Sequence, residues 1–115
     1  MERENCIFCG IAGKRLAANL IYEDGELVAF KDISPKAPVH FLIVPRKHID
    51  DHLALDETDC GWLGRAHLVA NQLAKELGIE DGFRVVLNCR EKAGQTVGHL
   101  HMHVMGGRNF TWPPG

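Results

Sequence analysis

The chain has 115 residues, of which 45% are hydrophobic and 24% charged, and its formal net charge is -2. This length and balance predict one globular domain over residues 1–115 and exclude a disordered chain. The charge also lacks the basic footprint of a protein that binds nucleic acid polymers, although a few local donors suffice for a small anionic ligand.

The first predicted elements are a short helix and a strand pair. The helix is expected over residues 5–12, and strands are expected over residues 19–23 and 26–31. Between the two strands stands Asp24-Gly25, and Asp-Gly flanked by apolar runs is a strong hairpin signal. We therefore expect these two strands to pair antiparallel.

A third strand and a long helix follow. Residues 40–46 form a continuous apolar run rich in β-branched side chains, which predicts a strand buried on both faces. Residues 57–77 predict a helix, with Asp56 as its N-cap and Gly78 as its stop. Its apolar stripe at helical spacing consists of Leu63, Ala66, Ala70, Leu73, Ala74 and Leu77.

Residues 83–88 and 99–105 predict the last two strands. Short links between strands favour an antiparallel sheet with helices on one side. The predicted fold class is therefore α+β: a five-stranded antiparallel sheet with one long helix and a short N-terminal helix. A regular alternation of strands and helices is absent, so a Rossmann-type sheet fits poorly.

Three histidines alternate with apolar residues in the last predicted strand, within the segment GHLHMHVM at 98–105. Side chains alternate between the faces of a strand, and positions two apart lie about 6.6 Å from each other. We therefore expect His99, His101 and His103 on one face, with the apolar face against the helix. Three aligned imidazoles suit either a metal site or a nucleophile with acid–base groups. The residues alone leave both open.

Two further motifs carry chemistry. Cys6-Ile7-Phe8-Cys9 is half of a zinc site, a redox pair or a coincidence. A redox pair usually lies in a thioredoxin-like βαβ unit, which is missing, and zinc needs two more ligands, for which histidine is available. The segment GQTVG at 94–98 precedes the histidines, and its glycines permit close backbone approach to an anion.

The charged N-terminus contains no apolar signal core, so we expect a cytoplasmic protein. No apolar run approaches about 18 residues, so no membrane partner is expected either. In the cytoplasm, four cysteines are metal ligands or thiols rather than a disulfide framework.

These features together resemble the histidine triad superfamily. The alternating pattern of residues 99–105 matches the family motif without a gap. Further stretches resemble its nucleotide-binding protein branch, so that the resemblance covers most of the chain: DISP at 32–35, PVHF at 38–41, PRKHI at 45–49, GQTV at 94–97 and GGRNFTWPPG at 106–115.

The resemblance implies an enzyme that cleaves purine nucleoside 5′-phosphoramidates, or related activated nucleotides, through a covalent nucleotidyl-histidine. His101 resembles the nucleophile, Asp32 resembles the group that accepts the ribose hydroxyls, and Thr96 replaces a serine while keeping the hydroxyl. The implied catalytic histidines are His101, His103, His40 and His99. The implied substrate-binding residues are Phe30, Asp32, Ile33, Leu42, Asn88, Gln95, Thr96, Val97 and Trp112.

The cysteine pair departs from the best-known animal members and resembles zinc-bearing members and hexose-phosphate uridylyltransferases. It implies a structural zinc held by Cys6, Cys9, His48 and His99, since two cysteines and two histidines complete a tetrahedral set. The family also implies a homodimer, joined through the long helix and an edge strand. Two alternatives stay open: a metallohydrolase whose three histidines bind one catalytic metal, and a nucleotide-binding scaffold.

Overall fold

The computed structural model describes residue 3 and residues 5–115 of the chain. In this described part, the strands are Leu20–Glu23 (β1), Leu27–Lys31 (β2), Val39–Pro45 (β3), Phe83–Val86 (β4) and Met102–Gly106 (β5). The α-helices are Ile7–Ala12 (α1) and Cys60–Glu76 (α2). The strands form one antiparallel sheet in the order β1-β2-β3-β5-β4, which confirms the predicted fold class.

Helix α2 begins three residues later than predicted, because Glu57–Asp59 forms a 3-10 turn ahead of it. Asp56 caps this turn: its side chain accepts from the Thr58 amide, while the Asp59 side chain accepts from the Asp56 amide. The helix ends as predicted, since Gly78 follows the last turn with a φ of 76° that suits glycine.

Helix α2 covers one face of the sheet. Its Ala66, Ala70 and Leu73 are buried against Phe41 and Val104, which stand on the central strands. Because β3 is also buried on its other face, the prediction of a strand buried on both sides is confirmed.

Helix α1 packs on the opposite face, so the expectation of helices on one side is wrong. Phe8 and Ile11 are buried with Val28, Phe30 and Leu42, which alternate with the side chains that face α2. These strands present apolar residues on both faces, so the second face also needs a cover. None of the helices among the described residues combines the length and apolar character needed to span a bilayer.

Strand β5 begins at Met102, three residues later than predicted. At this end of β5, the last residue pair of the ladder joins Met102 to Ile43 of β3. Beyond that pair, Pro45 has no amide hydrogen to donate, and its carbonyl oxygen instead accepts from the His99 ring at 2.8 Å. Only His103 therefore lies within the ladder, and the other two triad histidines precede it.

Candidate active site

A cavity of about 580 Å³ lies on the α1 face of the sheet, with His101 and His103 in its wall. Cavities of this volume hold small-molecule ligands. Most of the lining is apolar, and a carboxylate and a hydroxyl are placed among the apolar groups. Six of the predicted substrate-binding residues line it: Phe30, Asp32, Ile33, Leu42, Thr96 and Val97.

One wall of the cavity comes from α1 and the segment after it, which sequence reasoning missed. This wall consists of Ile7, Phe8, Ile11, Leu16, Ala17 and Ala18. The Phe8 ring lies 5.5 Å from the Phe30 ring and 5.0 Å from the His101 ring, between centroids. The spacing of Ile7 and Ile11 around the cysteine motif could have indicated this wall, since residues four apart share a helix face.

The backbone fixes the tautomer of His101. Its Nδ1 lies 2.8 Å from the carbonyl oxygen of His99, and a carbonyl only accepts, so Nδ1 carries the proton. The lone pair is therefore on Nε2, the ring nitrogen left for the cavity. Burial lowers the pKa of His101, so the imidazole is neutral at pH 7. A neutral imidazole with an available lone pair is a nucleophile.

A series of hydrogen bonds that begins at the Lys36 amide fixes which ring nitrogen of His103 donates. The amide of Lys36 donates to His40 Nδ1 at 3.0 Å, so neutral His40 carries its proton on Nε2. That nitrogen lies 2.9 Å from His103 Nδ1 and 3.4 Å from Asp32 Oδ2. His103 Nδ1 therefore accepts, and its own proton is on Nε2. Burial, reinforced by His101 and His40, lowers the pKa of His103 to about 4.

The triad rings do not converge on one metal ion. The ring of His99 is fully buried and bonds Pro45 through Nε2, while its Nδ1 faces Cys6. His99 thus contributes its carbonyl to the active site, and neither ring nitrogen faces the cavity. Asp32, His40 and His103 lie close enough to hold a metal, but His40 would have to give up its bond with the Lys36 amide to bind one through Nε2.

Gln95 shapes the glycine-containing loop from within. Its Oε1 accepts from the Arg90 amide at 2.7 Å, and its Nε2 donates to the carbonyls of Asp50 and Val97. Both ends of the amide are therefore used by the protein. Gln95, Asn88 and Trp112 are not in the wall of the cavity in this single chain, and Trp112 is 82% exposed.

The side chains of the four predicted metal ligands lie close together, and one of them, His99, stands two residues before His101. The Nδ1 atom of His99 lies 3.3 Å from Cys6 Sγ, and the Nδ1 atom of His48 lies 3.2 Å from Cys9 Sγ. All four ligand atoms lie within 4.8 Å of one another. The Nε2 atom of His48 is 2.9 Å from Asp50 Oδ1, an acceptor that fixes the proton there.

Comparisons with known proteins identify the family to which this chain is similar. The family model described as "Scavenger mRNA decapping enzyme C-term binding" matches residues 5–110. An uncharacterized HIT-like protein of Synechocystis sp. is 46% identical, over 97% of this chain and 98% of that protein. Protein HitA of Neisseria gonorrhoeae is 46% identical, over 90% of this chain and 96% of that protein.

The structural neighbours extend the match to the whole fold. A crystal structure of a HIT family hydrolase from Legionella pneumophila is 43% identical, with a TM-score of 0.94, and covers 96% of this chain and 100% of that chain. A histidine triad protein from Clostridium difficile is 41% identical, with a TM-score of 0.92, and covers 96% of this chain and 97% of that chain.

The two tautomers are open to direct measurement. Long-range proton–nitrogen NMR of the ¹⁵N-histidine protein at neutral pH should place the His101 proton on Nδ1 and the His103 proton on Nε2. The Nδ1 atom of His101 faces an acceptor, the His99 carbonyl oxygen, whereas the Nδ1 atom of His103 faces a donor, the Nε2–H of His40. The exposed His52 and His67 serve as internal references for unconstrained rings. A His101 proton on Nε2 would refute the assignment of that atom as the nucleophile.

Proposed function

Because the chain belongs to the histidine triad (HIT) family, we propose that it hydrolyses purine nucleoside 5′-phosphoramidates, or related activated nucleotides, through a covalent nucleotidyl-His101. The observation that carries the proposal is a pair of ring nitrogens beside one apolar cavity, of which one has a lone pair and the other carries a proton. His101 offers a lone pair on Nε2, and His103 offers an N–H on Nε2. A nucleophile next to a donor is what substitution at a phosphate requires.

The cavity accounts for nucleoside binding in this proposal. The base lies among apolar side chains, with the Phe8 and Phe30 rings set to contact its face or edge. The Asp32 carboxylate accepts hydrogen bonds from the ribose diol. The Ser34 amide uses one lone pair of Oδ1, and both oxygens keep further lone pairs for the diol. The 5′-phosphate then reaches the histidines at the end of the same cavity.

In the first step, the lone pair of His101 Nε2 forms a bond to the α-phosphorus while the bond from phosphorus to the leaving amine breaks. The ring becomes cationic, and its Nδ1–H bond to the His99 carbonyl is stronger in that state. His103 Nε2–H donates to a non-bridging oxygen. The amine takes a proton through the Thr96 hydroxyl, which lines the cavity and is exposed to water.

In the second step, water attacks the phosphorus and the bond to His101 Nε2 breaks, which restores the neutral ring. The water hydroxyl stays on the nucleoside monophosphate, and the released proton replaces the one that the amine took. One water is consumed in each cycle. The depressed pKa of His103 keeps this ring neutral near pH 7, so it acts as a donor rather than as a fixed cation.

The four ligands fit a structural zinc, which is the second part of the proposal. Pro45 and Asp50 accept from the Nε2 atoms of His99 and His48, so both Nδ1 lone pairs face the thiols. Two thiolates and two imidazoles form a closed tetrahedral set with no position for substrate. Such an ion would supply a structural link between α1 and the segment before β5 that carries His101.

The proposal includes a homodimer. Strand β4 is at the edge of the sheet, and its side chains are all half-buried. Leu68 on α2 is 66% exposed. An uncovered edge strand can pair with a second copy, and exposed apolar side chains favour association. The purine preference and the cytoplasmic location stay predictions.

His101→Ala should abolish turnover while leaving nucleotide binding nearly intact. We expect the rate of hydrolysis of a nucleoside 5′-phosphoramidate to fall by about 1,000-fold or more, because loss of a nucleophile commonly costs several orders of magnitude. The affinity for the nucleoside monophosphate should change only about threefold, since Asp32 and the apolar lining of the cavity stay in place. His52→Ala, which alters an exposed histidine, is the control. A His101→Ala enzyme that keeps more than a few per cent of the wild-type rate would exclude the proposed chemistry.

Protein purified without chelators should hold one zinc per chain, measured by elemental analysis. The double variant Cys6→Ser/Cys9→Ser should hold none and should melt at a lower temperature, because metal binding is linked to folding. The matched control is Cys60→Ser/Cys89→Ser, which removes the two cysteines outside the cluster. Less than a tenth of a zinc per wild-type chain in several preparations, or equal loss in both variants, would contradict the zinc site.

A further inference from the structure

Helix α1 forms a wall of the cavity, yet it has only six residues. Isolated helices shorter than about 12 residues are marginal in water, so tertiary contacts must set the position of this one. Its N-terminal end is held by the cysteine–histidine cluster. The position of the wall therefore also depends on what holds the C-terminal end.

Arg46 holds that end. Its Nη1 donates to the carbonyl oxygen of Ala12, the last residue of α1, at 2.7 Å. Its Nε donates to the carbonyl oxygen of Asp24 at 2.7 Å, and its Nη2 pairs with Glu23 at 3.1 Å. The final carbonyls of a helix have no partner within it, and a cation there is favourable.

The guanidinium thus joins α1 to the β1–β2 hairpin across three different acceptors. Arg46 directly follows β3, and its backbone amide donates to the Glu26 carbonyl at 2.8 Å, while its side chain reaches the helix. A planar guanidinium with several N–H donors suits this role, because the single ammonium group of a lysine does not reach three separated acceptors. Between the two anchored ends stand Ile7, Phe8 and Ile11, which face the cavity.

We propose that Arg46 is a positioning residue for nucleobase recognition, acting through α1. The inference rests on the proposed function, because it takes the α1 wall to contact the base. Loss of the anchor lets the wall move away from the base while the histidines, which stand on β5 and the residues before it, keep their hydrogen bonds. The effect therefore falls on affinity for the base, and the chemical step is preserved.

Arg65 offers a matched control. It pairs with Asp24 at 3.4 Å and with Glu26 at 2.8 Å, on the same hairpin that Arg46 contacts. Its side chain is 39% exposed, compared with 31% for Arg46. None of the contacts described for Arg65 reaches α1. Removing either arginine thus changes the charge by the same amount, but only one removal releases the helix.

The experiment measures two ligands on four proteins by direct and displacement titration calorimetry. The ligands are AMP and ribose 5-phosphate, which lacks the base. The proteins are the wild type, Arg46→Met, Arg46→Lys and Arg65→Met. We expect Arg46→Met to lower the affinity for AMP about tenfold, because a factor of ten is the scale of one lost hydrogen bond. The affinity for ribose 5-phosphate should change less than about twofold. Arg46→Lys should lie in between, and Arg65→Met should match the wild type.

Turnover separates this role from a merely structural one. For Arg46→Met, KM for the phosphoramidate should rise by the same factor by which the affinity for AMP falls, while kcat stays within about threefold of the wild type. If Arg46→Met does not fold, Arg46→Lys decides the matter, because it keeps the charge and the stem. Equal weakening of AMP and ribose 5-phosphate, or the same loss in Arg65→Met, would overturn the role of Arg46. A wild type that binds AMP no better than ribose 5-phosphate would instead overturn the nucleoside cavity and the proposed function.

Discussion

The hydrogen bond from His101 Nδ1 to the carbonyl oxygen of His99, 2.8 Å long, is the constraint on which the site depends. It fixes the tautomer of His101 and points the remaining lone pair towards the cavity. The carbonyl has a fixed direction because the His99 ring is itself held, by Pro45 at one nitrogen and by the cysteine cluster at the other. The orientation of His101, the proposed nucleophile, is thus set two residues away, in the buried part of the chain.

The segment Pro45–His48 brings together the elements that surround this bond. The carbonyl of Pro45 accepts from the His99 ring, and the guanidinium of Arg46 caps α1. Lys47 pairs at 2.9 Å with the buried carboxylate of Asp59 at the start of α2, and His48 faces Cys9. Four consecutive residues therefore connect the segment that carries His101, the cavity wall and both helices. The loop before the triad joins the same region through Gln95, which donates to the carbonyl of Asp50.

Periodic features of the sequence predicted the sheet and the long helix well, because a buried stripe or an alternating strand leaves a repeating pattern. The apolar faces of α2 and β3 are examples. The packing of α1 on the opposite face left only the spacing of Ile7 and Ile11 in the sequence, because a six-residue helix is too short for a repeating stripe. The early end of the β3–β5 ladder depended on a ring-to-backbone bond between residues 45 and 99. The role inferred for Arg46 likewise required knowledge of which carbonyl it meets.

Direct observation of the covalent intermediate tests the central claim most directly. Wild-type protein is mixed with a nucleoside 5′-phosphoramidate, quenched in alkali within one turnover, digested and mapped by mass spectrometry. The account predicts one nucleotidyl group on His101, formed and lost at rates that match turnover. Turnover that proceeds without an adduct, or an adduct on His103 or His40, would contradict it.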